Sequence, residues 1–129
     1  MNKILVEVSF GELLDKITIL EIKKKKIKNS EKLNLINDEY DMLKEQLNKN
    51  FKPDNKINGL FNSLKKINEK LWLIEDDKRM CEKNSDFGEK FVKISRDVHF
   101  LNDERSKIKL EINIYTGSKI KEIKQYTNY

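Results

Sequence analysis

Glycine and proline are scarce here, four and one in 129 residues. So few breakers leave room for long helices. The single cysteine, Cys81, excludes an internal disulfide and fits a reducing, cytoplasmic setting. With one histidine, His99, besides, no ligand-spaced zinc set exists, and no glycine-rich phosphate loop is present. No apolar run reaches the 18 residues that a membrane span needs. The opening stretch MNKILVEVSF does not read as a secretory signal, because Glu7 cuts its apolar run and no small-residue cleavage site follows. Arginine is also rare, limited to Arg79, Arg96 and Arg105 in a lysine-rich chain. Such a chain keeps arginine where a planar, two-pronged donor is needed.

What is present is charge, 38% of residues, with a formal net charge of +5. Acidic and basic residues are interleaved along most of the chain, the signature of solvated helix faces rather than of a nucleic-acid surface. The excess comes largely from KKKK at 23–26 and the lysines of the tail. The length suits one domain, spanning 1–129, with an extended lead-in at 1–9 and a C-terminal tail of weak helical character at 118–129.

Four helices are expected. Ser9 followed by Glu12 is a capping-box start for the first, 10–28. Ser30 is placed to cap the second, 31–50, and a turn around Pro53 leads to the third, 56–83. Asn84, Ser85 and Asp86 offer a break and a new cap before the fourth, 87–116, which Gly117 is placed to end. Apolar residues recur at steps of three and four, with a step of seven in each of the last two sets: Leu33, Ile36, Tyr40, Leu43 and Leu47; then Leu60, Leu64, Ile67, Leu71, Ile74 and Cys81; then Phe91, Ile94, Val98, Leu101, Ile108, Ile112 and Tyr115. These seams predict an all-α, up-and-down bundle with two long helices and a short extended N-terminal stretch.

The long helices carry second apolar faces, Trp72, Leu73 and Met80 on one and Val92, Phe100, Leu110 and Ile114 on the other. A helix apolar on two sides is central or lies at a subunit interface, so a homodimer with these helices near its centre is expected. Helix one and the tail covering both faces within a monomer is the alternative.

Arg105 falls on the seam of the fourth helix, where a buried charge requires a partner. Glu21, Glu75 and Glu82 project toward their seams, and Arg79 lies one turn beyond Glu75. A polar cluster of Glu21, Glu75, Arg79, Glu82 and Arg105 is therefore expected inside the bundle. It is either an ion-pair network that fixes register or a pocket for a small anionic ligand. No cofactor is required by either. A second function hypothesis is a Mg²⁺-dependent hydrolase of nucleotides or other phosphorylated small molecules, with Glu12, Asp15, Glu21, Glu75, Asp76 and Asp103 supplying oxygens. Nucleic-acid binding trails both.

The blocks VSFGELLDKITILEIK (8–23), LWLIEDDKRMCE (71–82), NDERSKIKLEIN (102–113) and GSKIKEIKQY (117–126) resemble a family of small bacterial proteins known only as a domain of unknown function. The resemblance covers nearly the whole chain and implies a small helical protein. It brings no activity, substrate or catalytic residue.

Overall fold

A computed structural model describes residues 2–129. Four helices form an all-α bundle: α1 (Phe10–Lys26), α2 (Ser30–Asn50), α3 (Asn55–Lys83) and α4 (Glu89–Thr116). Long α3 and α4 form an antiparallel hairpin. Among the described residues α1 is the helix that packs against all three others. It is also the most apolar in character, burying Leu13, Leu14, Ile17, Leu20 and Ile22. These meet Leu47 of α2, Ile57 and Leu64 of α3 and Ile112 of α4 in one core.

The helix ends follow from local chemistry. Ser9 caps α1 by accepting the Glu12 N–H at 3.1 Å. The capping box stays half made, because the Glu12 carboxylate turns to Lys109 instead (2.7 Å). α1 stops at Lys26, two residues short of expectation, and the Ile27 N–H closes its last turn on the Lys23 carbonyl. Asn29, rather than Ser30, caps α2, since its side-chain oxygen accepts from the Lys32 N–H and leaves Ser30 in the first turn. Asp54 caps α3 in the same way through the Ile57 N–H.

The break between α3 and α4 is a Schellman turn, with Asp86 N–H on the Cys81 carbonyl and Ser85 N–H on the Glu82 carbonyl. The position that favours glycine in such a turn is Ser85, at φ 52°. α4 consequently starts at Glu89, after an N-cap Gly88 that has no side-chain cap. Gly117, at φ 67°, ends α4 with a second Schellman turn. The tail beyond it forms no helix. It turns back along α4, with Glu122 on Lys109 and the Tyr129 hydroxyl donating to Asp103.

The second apolar faces stay partly open. Leu73, Met80, Val92, Phe100 and Ile114 are exposed, although the Tyr129 ring of the tail packs against Phe100. Lys78, on the α3 seam, lies over the Phe91 ring at 5.9 Å and keeps its ammonium near the surface.

Candidate functional site: the charged seam between helices 1, 3 and 4

Gly11, Asp15 and Thr18 form a small and polar stripe on α1, at spacings of four and three. On α4, Arg105, Lys109 and Asn113 form a second stripe at spacings of four. The two stripes meet. At one end the backbones approach so closely that a Cβ on Gly11 would lie 2.5 Å from the Lys109 carbonyl oxygen. The Gly11 N–H donates to Asn113 Oδ1 at 2.7 Å across this contact.

Asp15 is the centre of the site, with its side chain 1% exposed. Arg105 Nε donates to Oδ1 at 3.0 Å and Nη2 to Oδ2 at 2.5 Å, a two-pronged clamp. Asn68 of α3 adds a bond to Oδ1 at 2.9 Å and a second to the Thr18 hydroxyl at 2.7 Å. The Thr18 hydroxyl donates in turn to the Asp15 carbonyl. Lys109 Nζ is 3.8 Å from Asp15 Oδ2 and bonds Glu12 at 2.7 Å and Glu122 of the tail at 3.1 Å. One lysine thus ties α1, α4 and the tail together.

Burial on its own pushes the Asp15 carboxyl up. The bonds from Arg105 and Asn68, with the charges of Arg105 and Lys109, outweigh it and hold Asp15 below the usual carboxylate value. Burial likewise pushes Lys109 down, and the Glu12 and Glu122 bonds with the Asp15 charge bring it above its ordinary value. The bond from Lys109 keeps Glu122 low. The site is a set of paired charges, two cationic side chains held among three carboxylates.

The expected cluster of five is dispersed. Arg105 pairs with Asp15 and with none of the glutamates proposed for it. Glu21 faces the other side of α1, where it takes bonds from Lys65 of α3 (2.8 Å) and Tyr40 of α2 (3.3 Å). Glu75 and Arg79 pair with each other along α3 at 2.6 Å, at the surface. Glu82 is exposed at the end of α3. The reason is the central position of α1: its Asp15 side occupies the ground between α3 and α4 that the glutamates were expected to reach. A groove of about 390 Å³ does bring Glu75, Asp76 and Arg79 near the open side of Arg105, over a floor of Ile19, Ile22, Leu71 and Trp72.

The carboxylates considered for Mg²⁺ do not fit one ion. Both oxygens of Asp15 take bonds from Arg105, and Glu12 bonds Lys109, so cationic side chains stand where a metal would bind. Glu75 and Asp76 line the groove, and Asp103 lies against the tail at Tyr129. Among the described residues no three His, Cys, Asp or Glu side chains converge as ligands. His99 is exposed, with its ring against Phe100 and Tyr129, and Cys81 is buried in the hairpin seam.

Sequence reasoning singled out Arg105 but missed Lys109, Asn113 and Asn68. The available signal was the matching spacing of the two polar stripes.

Fold and site together define an all-α bundle whose buried carboxylate is clamped by arginine and lysine from an adjoining helix. Within that class, the chain belongs to a family of unknown function (DUF6165), whose model matches residues 4–129. Comparison with curated proteins and with solved structures gives no match. Among the described residues no helix is long and apolar enough to cross a membrane.

Proposed function

We propose that the protein is a helical interaction module that works as a homodimer, its interior charges locking the bundle and its outer surface carrying recognition. The observation that carries this reading is the division of charge and apolar surface. Asp15, buried inside, is paired with Arg105; toward the surface Lys109 takes Glu12 and Glu122, and Lys124 lies 3.5 Å from Glu122, so both cations of the seam are already occupied. Outside, Leu73, Met80, Val92 and Phe100 stand about half exposed on the hairpin, and Ile4, Leu5 and Val6 are more exposed still. Apolar side chains grouped in this way on a small chain mark association surfaces. Sedimentation equilibrium of the full chain tests the reading: a dimer mass at micromolar concentration is expected, and a monomer throughout the accessible range overturns it. A cytoplasmic setting accords with the one buried, unpaired cysteine.

A second reading, a small anionic ligand in the groove, draws support from Arg79 and Arg105 standing beside Trp72 there. It predicts a rise in melting temperature with one member of an anion panel, lost in Arg79→Ala. No shift across the panel removes it. Mg²⁺-dependent hydrolysis has weaker support, because Asp15, Glu21 and Glu12 already hold cationic side chains.

A further inference from the structure

We infer that two copies pair through residues 3–7, Lys-Ile-Leu-Val-Glu, as an antiparallel two-stranded ribbon whose two-fold axis passes between the two Leu5 residues. This rests on the homodimer reading and names its contact. Residues 2–9 lie outside any helix or strand, and among the described residues no backbone hydrogen bond joins 2–8 to the rest of the chain. Ile4, Leu5 and Val6 are 89%, 88% and 76% exposed. The stretch has the composition of a strand without a neighbour: branched apolar residues, and backbone donors and acceptors free to pair. Ser9, the next residue but one after Glu7, is buried and caps α1, so the stretch leaves the bundle from a fixed point.

Charge complementarity selects a second copy as the occupant. With Leu5 opposite Leu5 in the antiparallel sense, Lys3 faces Glu7 of the partner subunit at both ends, and Ile4 faces Val6 of the partner subunit. Opposite charges and branched apolar pairs directly across a ladder are favourable, and like charges there are not. A parallel arrangement sets lysine against lysine and glutamate against glutamate. A slip of one residue sets Lys3 against Val6, or Ile4 against Glu7, and loses the match. In the matched register Ile4 and Val6 of both copies gather on one face and shield one another from water. The contact is isologous and closes at two copies. A two-stranded ribbon is marginal alone, so the dimer is weak and concentration-dependent.

The test uses the full chain in sedimentation equilibrium with Lys3→Glu, Glu7→Lys and the double exchange, together with cysteine cross-linking. Each single reversal places like charges at both ends of the ribbon and is expected to weaken dimerisation about tenfold, whereas the double exchange restores it. Leu5→Cys is expected to form a disulfide-linked dimer on mild oxidation, because directly opposed residues have the required Cα spacing. Ile4→Cys, offset by two positions from its own copy, is not. Cys81 is buried and does not compete. All four positions lie outside the helices, so circular dichroism melts should match the wild type and exclude misfolding. If the reversals leave the dimer unchanged while Phe100→Asp dissociates it, the homodimer stands and the ribbon is wrong. If Ile4→Cys cross-links and Leu5→Cys does not, the register is wrong and the inference falls. If the wild type is monomeric and Leu5→Cys stays uncoupled, both readings fall together.

Discussion

Replacing Arg105 with leucine removes the clamp on a carboxylate that is 1% exposed, while Arg105 itself is 28% exposed. Asp15 would lose the bonds at 3.0 and 2.5 Å and keep Asn68 at 2.9 Å and Lys109 at 3.8 Å. Breaking one side of a buried ion pair costs roughly 3–5 kcal/mol. The two surviving partners place the loss at the low end, and the apolar leucine offsets on the order of 1 kcal/mol through its own burial. The net expectation is a loss of about 2–3 kcal/mol, a fall in melting temperature of roughly 10 °C for a chain of this size. Urea unfolding followed by far-ultraviolet circular dichroism would measure it, with an unchanged m-value showing that the same surface unfolds. In an Arg105→Leu background, Asp15→Asn should recover part of the loss, because a neutral amide no longer buries a charge. If Arg105→Leu is as stable as the wild type, or the two changes simply add, Asp15 and Arg105 are not the coupled lock described here.

Stability should fall at both ends of the pH scale. Asp15 is held below its unfolded value of about 3.9, so its contribution is present above that pH and lost as pH falls through the lower folded value. Lys109 is held above its unfolded value of about 10.4, so its contribution is complete below that pH and lost as pH rises through the folded value. A stability profile of Asp15→Asn should lack the first of these losses; one with an unaltered acid limb would remove Asp15 from the account. Gly11→Ala should cost about 1–3 kcal/mol in chemical unfolding despite alanine's better helix propensity, because its Cβ meets the rigid Lys109 carbonyl rather than a side chain that can move. Ser85→Gly should gain about 1 kcal/mol by relieving a positive φ in the α3 Schellman turn, and a loss in thermal melting would contradict that assignment. Ser95→Ala should be neutral or stabilising in the same assay, since the buried Ser95 hydroxyl has no hydrogen-bond partner among the described residues.

The seams were legible because they are repetitive. Leu64, Ile67, Leu71 and Cys81, and Ile94 and Ile112, recur at the helical step and are buried. The helix ends were legible to within two residues: Asn29 takes the bond that Ser30 could have made, α1 stops at Lys26, and Gly88 rather than Asp86 precedes α4. The site was only half legible. Arg105 announced itself as a charge on an apolar seam, but its partner was sought among Glu21 of α1 and Glu75 and Glu82 of α3 rather than at Asp15. A single sequence gives each helix its faces and says little about which neighbour each face meets. Asp15 stands out in the sequence only as a candidate Mg²⁺ ligand. Its place opposite Arg105 depends on α1 lying in the angle between α3 and α4, and that depends on all four helices at once.

Local rules therefore determined the parts by themselves. Scarce breakers, capping residues and periodic apolar positions set four helices and their inward faces, because these are short-range properties of the backbone and of burial. Tertiary structure alone decided the pairing of charges. The approach of α1 to α4 at Gly11 puts Asp15 against Arg105 and Lys109, and the returning tail adds Glu122. The physical reason is range. A helix turn is settled over four residues, whereas the partner of a buried charge, here 90 residues away, is settled by how the packed helices bring their faces together.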